Sequence, residues 1–272
     1  SGSTLFVGGI FTSINGDSRD RIAAINLTNH STLAWDPGAN LTVSDMVTDG
    51  TKLYVTGGFT VIDGENRKYS AAFNLSNGLL ADFDLGLTTL NNTIAISGSN
   101  FYVGGAFAGI GGKARNNLAA VNLTTGEVTT WDPDVDDVVN TLFLDGSLLY
   151  VGGEFQNIGA SSRSYAGAIS TSTGIANSWD PVFNNSVEKI LVDGSSVYVG
   201  GRFNSVDGSS RYYLARLGTN GTLDAWAPQP SSYVYSMALK TNSVIIGGSF
   251  NEIGALARRK IGEVPKSSDV AT

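Results

Sequence analysis

One short motif recurs at an almost constant interval, and this repetition limits the possible folds more than any other feature of the chain. An apolar run followed by glycines and a phenylalanine occurs six times, with its phenylalanines at Phe11, Phe59, Phe107, Phe155, Phe203 and Phe250. Successive phenylalanines are 48, 48, 48, 48 and 47 residues apart. Because a fixed interval of this length marks one structural unit copied in series, the sequence predicts a repeat architecture.

Other residues keep the same interval. An isoleucine or valine stands three residues after each motif phenylalanine, and an arginine stands eight residues after it. The arginines are Arg19, Arg67, Arg115, Arg163, Arg211 and Arg258. A run of small residues and a turn follow, and then an aromatic residue that usually precedes Asp-Pro: Trp35, Phe83, Trp131, Trp179 or Trp226. With a final run leading to the next motif, each unit predicts four strands.

The turn residues between these runs favour short antiparallel connections. Asp-Gly, Thr-Gly and Asn-Gly pairs accept the positive φ of tight hairpins, and the prolines after the tryptophans lack an amide donor and end a strand. No amphipathic helical pattern is present. Four antiparallel strands repeated at this period are typical of a propeller blade, so we predict an all-β, six-bladed β-propeller formed by residues 1–272 as a single domain.

The two ends of the chain suggest how such a ring closes. The first repeat begins directly at its motif and lacks a first strand. The last residues, Ser268–Thr272, resemble the strand that begins at Ser44. We therefore expect the C-terminal strand to supply the missing strand of the first blade and remove an exposed sheet edge, which would leave three strands in the last blade.

The repeat resembles the delta-60 repeat family of β-propellers, a group of unknown function found in secreted bacterial proteins. The likeness is carried by Tyr-Val-Gly-Gly-x-Phe, by the stretch Ile110–Ala119 and by Trp-Asp-Pro. A more distant likeness is to the propeller of fungal cortical marker proteins of the Rax2 type. Phe83-Asp84-Leu85 replaces Trp-Asp-Pro in the second repeat, and Ala227 replaces the aspartate in the fifth. The resemblance implies a surface or secreted location and no known catalytic residues.

Composition excludes several classes of protein. With 17 Lys and Arg against 24 Asp and Glu, the net charge of −7 argues against a nucleic-acid partner, which requires a basic face. The absence of cysteine excludes a thiol nucleophile, a disulfide and a cysteine-ligated zinc. No run of 18 apolar residues is present, so we expect no membrane span. The sequence does not decide whether the chain belongs to a larger protein or assembly.

The repeated arginines have two interpretations. Each guanidinium could bind backbone carbonyls or a carboxylate of its own or a neighbouring blade, with Asp36, Asp84, Asp132 and Asp180 as candidates. Alternatively, the six arginines could form a basic ring around an anionic ligand. Repetition in every unit favours the structural interpretation, because a binding site normally breaks the symmetry. We assign the same structural role to Trp35, Trp131, Trp179 and Trp226.

Catalytic and metal-binding residues are poorly supported. The single histidine, His30, stands in a turn without an identifiable partner, so we predict no catalytic residues and no enzyme activity. Aspartates crowd one loop, at 132, 134, 136 and 137, and recur at Asp17, Asp63 and Asp207. Because hard cations take several oxygens from one loop, calcium stays open, although no EF-hand spacing is present and we expect no other cofactor.

Tyrosines outside the repeat pattern are the candidate ligand-binding residues. Tyr212 and Tyr213 follow the arginine of the fifth repeat, and Tyr233 and Tyr235 lie in the connection entering the sixth. Tyr69 and Tyr165 also lie outside the pattern. Exposed aromatic rings on loops stack on sugars or anchor a peptide, whereas burial between blades is the structural alternative.

Asparagine sequons point to a glycosylating secretory route. Eight Asn-x-Ser/Thr sites occur, at Asn26, Asn29, Asn40, Asn74, Asn91, Asn122, Asn184 and Asn220. Three of them, Asn26, Asn74 and Asn122, share one repeat position and are not independent.

We therefore predict a secreted or cell-surface β-propeller that acts as a non-catalytic binding or adhesion scaffold for a glycan or protein partner. Two alternatives remain open. One is a carbohydrate-active hydrolase or lyase with acids converging from several blades. The other is a structural subunit of a surface layer, filament or larger multidomain protein. The fold alone does not distinguish these three functions, because propellers carry many unrelated activities.

Overall fold

A computed structural model describes residues 2–89 and 91–271, which are built from β-strands and turns without any helix. The side chain of Asn91 lies outside the described residues, and so does Thr272. The chain divides into two compact units, Ser1–Thr130 and Trp131–Thr272. Each unit carries three copies of the repeat.

The first unit contains three sheets and three two-residue hairpins. Its strands are β1 (Thr4–Gly8), β2 (Ser13–Ile14), β3 (Asp17–Ser18), β4 (Ile22–Asn26), β5 (Val43–Thr48), β6 (Lys52–Gly57), β7 (Val61–Ile62), β8 (Glu65–Asn66), β9 (Ser70–Asn74), β10 (Asn91–Ser97), β11 (Asn100–Gly105), β12 (Gly109–Ile110), β13 (Lys113–Ala114) and β14 (Leu118–Asn122). The sheets have the orders β1-β4, β5-β6-β9 and β10-β11-β14, all antiparallel.

The second unit repeats this arrangement. Its strands are β15 (Val139–Asp145), β16 (Leu148–Gly153), β17 (Asn157–Ile158), β18 (Ser161–Ser162), β19 (Ala166–Ser170), β20 (Val187–Asp193), β21 (Ser196–Gly201), β22 (Ser205–Val206), β23 (Ser209–Ser210), β24 (Leu214–Gly218), β25 (Val234–Leu239), β26 (Ser243–Gly248), β27 (Glu252–Ile253), β28 (Leu256–Ala257) and β29 (Ile261–Pro265). Its sheets have the orders β15-β16-β19, β20-β21-β24 and β25-β26-β29.

The repeated all-β unit is confirmed, with two differences from the expected strands. The fourth strand is reduced to a short segment joined to the third strand by one bridge, such as Val121 to Val128 or Ile169 to Ala176. The tryptophan follows this segment in irregular chain, because Asp-Pro prevents further pairing. A two-residue hairpin after each motif phenylalanine was not predicted. Its isoleucine or valine, such as Ile158, is buried in the second to sixth copies, and Ile14 of the first is half-buried.

Each tryptophan donates a hydrogen bond to a backbone carbonyl of the next repeat. The indole of Trp179 stands edge-on to Tyr150 of its own repeat, with ring centroids 5.1 Å apart, and its Nε1 donates to the carbonyl of Gly218 in the next repeat at 3.1 Å. The Nε1 of Trp35 donates to the carbonyl of Gly78 in the same way. Trp131 donates to Ser170, and Trp226 to Pro265. The rings of Trp131, Trp179 and Trp226 are therefore buried with their polar group satisfied, and Trp35 is half-buried with the same bond.

The repeat arginines bind backbone carbonyls. Each donates from one terminal nitrogen to the carbonyl of the preceding residue, as Arg19 does to Ser18 at 2.6 Å. For Arg19, Arg115, Arg163 and Arg211, the other terminal nitrogen donates to a carbonyl 13 or 14 residues further on. Asp36 lies 3.5 Å from Arg19, and Asp180 lies 3.2 Å from Arg163. The guanidinium groups thus stabilise the connection that follows the third strand, in line with the structural interpretation.

One glycine of the motif is required by the close approach of the first strand. At Gly57, Gly153, Gly201 and Gly248, an added Cβ would overlap the carbonyl oxygen of the residue before or at the start of that strand. At Gly9 none of the described strands approaches, and the nearest described atom to an added Cβ is in the Phe11 ring at 3.4 Å. Gly9 therefore has the residue type of its equivalents without the backbone contact that requires it.

The predicted closing strand is not confirmed. β1 pairs with β4 on one side, and within residues 2–89 and 91–271 no strand pairs with its other edge. The described residues after Pro265 form turns, bends and irregular chain. The closed ring and its count of six blades therefore stay predictions, as does the single domain.

Gly153→Ala should destabilise the protein by about 1–3 kcal/mol, because the new methyl group would overlap the carbonyl of Val138, which cannot rotate away. Gly9→Ala is the matched control and should change the free energy of unfolding by less than about 0.5 kcal/mol. Chemical denaturation of both variants measures the difference. Equal destabilisation would contradict the structural reason given for the motif glycine.

Asp49 organises the hairpin between β5 and β6. Burial alone would raise its pKa, but the amides of Lys52 and Thr51 and the hydroxyls of Thr51 and Tyr54 donate to the carboxylate and lower the pKa to about 2. The same carboxylate, together with burial, raises the pKa of Tyr54. Because the folded pKa is below that of the unfolded chain, this carboxylate stabilises the fold above about pH 4.

Asp49→Asn should lower the free energy of unfolding at pH 7 by about 1 kcal/mol, an amount reduced by the exposure of the group to solvent. The difference from the wild type should shrink as the pH falls from about 4 through the folded pKa of about 2. Urea denaturation across this range measures it. The exposed Asp17→Asn is the control, and a pH-independent difference for Asp49→Asn would contradict the assignment.

Candidate functional site

Three positions of the repeat lie at the same end of each sheet and differ in residue type from copy to copy. The first is the bulged residue of the first strand, where the register shifts in five sheets. The bulged residues are Ser44, Asn92, Asn140, Glu188 and Tyr235. A bulge leaves its residue unpaired and redirects its side chain, and bulges are frequent beside binding sites.

The second position is the residue before the motif phenylalanine. It is occupied by Ile10, Gly58, Ala106, Glu154, Arg202 and Ser249. In the copies with Gly58, Glu154, Arg202 and Ser249, its amide donates to the carbonyl of the residue just before the first strand, as from Glu154 to Val138 and from Arg202 to Ser186, both at 2.9 Å. The backbone here is therefore fixed while the side chain changes.

The third position lies two residues after the repeat arginine and has a left-handed backbone in all six copies. Its occupants are Arg21, Tyr69, Asn117, Tyr165, Tyr213 and Lys260, with φ between 60° and 68°. Two backbone bonds hold it: the amide of Tyr213 donates to Phe203, and its carbonyl accepts from Gly201. Because the bonds use only backbone atoms, the side chain is again free to vary. We call these three sets the variable positions.

The variable positions differ in chemistry between the two units. In the first unit, the residue before the motif phenylalanine is apolar or glycine, and the bulged residues are small and uncharged. In the second unit, the same two positions hold Glu154, Arg202, Glu188 and Tyr235, besides Ser249 and Asn140. Charged groups at these two positions are thus confined to the second unit, which provides the asymmetry expected of a binding site, whereas the left-handed position carries a cation and tyrosine in both units.

The four predicted tyrosines come together in the second unit. Ring centroids are 6.3 Å apart for Tyr212 and Tyr213, 5.4 Å for Tyr213 and Tyr233, and 6.2 Å for Tyr233 and Tyr235. Tyr212 and Tyr235 are 43% exposed and Tyr233 is 37% exposed, whereas Tyr213 is half-buried beneath them. These rings form one continuous row, which we call the tyrosine row.

Arg202 fixes one end of the tyrosine row. Its guanidinium carbon lies 5.5 Å from the centre of the Tyr233 ring and 5.7 Å from that of Tyr235. Its Nε donates to Glu188 at 2.7 Å, and the Ser186 hydroxyl donates to the same carboxylate oxygen. Burial would lower the pKa of Arg202, but the neighbouring carboxylates, Glu188 foremost, raise it. The arginine is therefore charged and held between a carboxylate and two aromatic rings.

A pocket adjoins this arginine. Its volume is about 320 Å³, and it is lined by Asp137, Glu154, Tyr165, Asn185, Ser186 and Arg202. Carboxylate, amide and hydroxyl groups at one place suit the recognition of a ligand with many hydroxyl or amine donors. Since Arg202 contacts both the pocket and the tyrosine row, the two form one site.

Of the other sequence candidates, Asp137 and Tyr165 line the pocket, and the following lie outside it. His30 is an exposed turn residue with φ 61°. Asp136 accepts from the amides of Gln156 and Asn157, and Asp207 accepts from the amide of Val182. Among the described side chains no three His, Cys, Asp or Glu residues are grouped as a metal site requires, so calcium has no grouped ligands here.

Several sequon asparagines have structural contacts. Asn26 and Asn122 accept amide hydrogen bonds in the turn after the third strand, where Ser170 takes the same role in the fourth repeat. Asn40 and Asn184 accept from amides of the next hairpin. Turn geometry therefore accounts for the recurrence of asparagine at these positions. Asn29, Asn40, Asn184 and Asn220 are exposed.

The sequence singled out the tyrosines as candidates but not Arg202, Glu188 and Glu154, which the structure places beside them. Comparing the copies would have found Arg202 and Glu154, because they are the charged exceptions at a position otherwise occupied by small or apolar residues. Glu188 could not be singled out, since nothing in the sequence places a bulge there. Their convergence depends on contacts between neighbouring sheets.

Comparison with known proteins agrees with the fold and is silent on activity. A family described as a domain of unknown function (DUF5122) beta-propeller matches residues 195–225. None of the curated proteins matches the chain. Among solved structures, the crystal structure of the computationally designed Ika8 protein is similar with a TM-score of 0.57 and 14% identity, over 99% of this chain and 86% of that one. The described residues include no apolar helix of membrane-spanning length. The chain is thus similar to β-propeller repeats of unknown function.

Proposed function

We propose that the protein is a non-catalytic binding scaffold of the cell surface or extracellular space, and that the second unit binds a glycan through the tyrosine row and the adjoining pocket. The observation that carries this proposal is the convergence of three exposed tyrosine rings, an ion-paired arginine and a polar pocket in one part of the second unit. Exposed rings stack on sugar faces, while carboxylates and amides bind hydroxyl groups.

A glycan suits this surface better than a protein partner does. Cores of protein interfaces are depleted in charged residues, whereas this site places two carboxylates in the pocket that Arg202 joins to the rings. The exposed sequons at Asn29, Asn40, Asn184 and Asn220 support a secretory location, since glycosylation takes place on that route. The resemblance to secreted propellers supports the same location.

A carbohydrate-active hydrolase or lyase is the second candidate. The observation in its favour is that two carboxylates, Asp137 and Glu154, line the same pocket. Glycosidases use a pair of acids on either side of the scissile bond. This candidate predicts turnover of the bound glycan and its loss in Glu154→Gln, whereas a binding scaffold returns the glycan intact.

Screening the purified chain on a glycan array, followed by calorimetry on the glycans that bind, tests the proposal. Tyr233→Ala and Tyr235→Ala should each weaken binding about tenfold, the usual cost of removing an aromatic anchor. Ile10→Ala is the matched control, because Ile10 is 79% exposed and occupies the repeat position of Arg202. Absence of glycan binding, or an equal loss in the control, would refute the proposal; product release would favour the hydrolase or lyase.

We further propose that the six repeats form a closed six-bladed ring as one domain, with the C-terminal segment as the first strand of the first sheet. Two features of separate units support this. Leu5 on β1 is 47% exposed, whereas its equivalent Leu53 is 3% exposed beneath a first strand. Val270 is 62% exposed and corresponds to Met46 when Ser268–Thr272 is aligned with the strand that begins at Ser44. Closure would bury both and would explain Gly9.

A disulfide tests this closure. By the register of Met46 with Val55, Val270 should face Val7, so Val7→Cys with Val270→Cys should form an intramolecular disulfide under mild oxidation. Val7→Cys with Asp269→Cys is the control, because a shift of one residue turns the side chain to the opposite face. Mass spectrometry of the monomer detects the bond. Equal cross-linking in both pairs, or none in either, would refute the closure.

A further inference from the structure

The copies of the repeat share one backbone at the variable positions but differ in the side chains they hold. In the copies with Gly58, Glu154, Arg202 and Ser249, the residue before the motif phenylalanine is held by a hydrogen bond from its amide to the carbonyl just before the first strand. The left-handed position is held by the same two backbone bonds whether it carries tyrosine, asparagine or lysine. Substitution there therefore changes the surface without changing the framework.

Side chains at these positions contact one another across repeats of the second unit. Arg202 pairs with Glu188 of its own repeat and packs on Tyr235 of the next. Tyr213 packs edge-on against Tyr233, which directly precedes the bulged strand of the next repeat. Lys260 donates to the carbonyl of Ser249 at 3.2 Å. The variable positions of the fourth to sixth repeats therefore form one connected surface.

The charge of the pocket, which Lys260 does not line, decides which ligands suit it. Asp137 and Glu154 line the pocket with Arg202, and Glu188 already pairs with that arginine. The carboxylates that line the pocket thus outnumber its one guanidinium. An acidic sugar would meet an excess of negative charge, whereas hydroxyl and ammonium groups would find acceptors.

We infer that the variable positions of the fourth to sixth repeats determine ligand choice, and that they select neutral or amine-bearing glycans over acidic ones. This inference rests on the proposed glycan-binding function of the same site. Glu154 is the residue that discriminates by charge, and Tyr213 is the residue that supports the tyrosine row from beneath.

The test measures binding of the wild type and two variants to three sets of oligosaccharides of equal length, namely neutral, amine-bearing and uronic-acid-bearing. The wild type should bind the first two sets and bind the third at least about fivefold more weakly. Glu154→Gln should reduce that preference about threefold to fivefold, because it removes one carboxylate. Tyr213→Asn should weaken all binding about tenfold, since it removes the ring that supports Tyr233.

The left-handed position offers a matched control. Asparagine occupies it naturally at Asn117 with φ 60°, so the backbone of Tyr213→Asn should be retained. Tyr69→Asn makes the same change in the first unit and should leave binding unchanged, and thermal melting checks that both variants are folded. If the wild type binds no set, the proposed function is wrong and the inference fails with it. If the wild type binds but prefers acidic glycans, or if either site variant binds as the wild type does, only the inference is wrong.

Discussion

The close backbone approach between the first strand and the second glycine of the motif is the contact on which four of the six repeats depend. In four copies the space for a Cβ is taken by a carbonyl oxygen, so only glycine fits. The same contact places the bulge of the first strand beside the residue that follows the glycines. The need for glycine at this contact therefore also determines where two of the variable positions lie.

The framework is secured at other points by groups that repeat unchanged. Indole rings fill the space between sheets and donate to a carbonyl of the next repeat, and the repeat arginines bind carbonyls of the following connection. The indoles and the terminal nitrogens of the guanidinium groups thus bond to atoms of the framework. A surface that varies from copy to copy can then carry recognition without loss of stability, which is why the variable positions, and not the repeated arginines, are the candidates for binding.

The tyrosines illustrate how far sequence reasoning could go. Tyr212, Tyr213, Tyr233 and Tyr235 stood out because they broke the repeat pattern, and the structure brings them into one row. Their partner Arg202 did not stand out until the copies were compared. The placement of Glu188 depends on a bulge that cannot be recognised from any residue type. The short hairpins after the motif phenylalanine were missed as well, because two-residue strands leave almost no periodic pattern.

The sequence by itself determined the repeat, its all-β character and the positions of its turns, because a fixed interval and paired turn residues are local properties of the chain. It also located the candidate tyrosines and excluded cysteine chemistry. Only the tertiary structure decided that the fourth strand is reduced to a single bridge, that the loop carboxylates bind backbone amides, and that Arg202 joins a pocket to the tyrosine row. Those outcomes depend on which groups meet between sheets about 48 residues apart, and an interval in the sequence does not specify side-chain contacts.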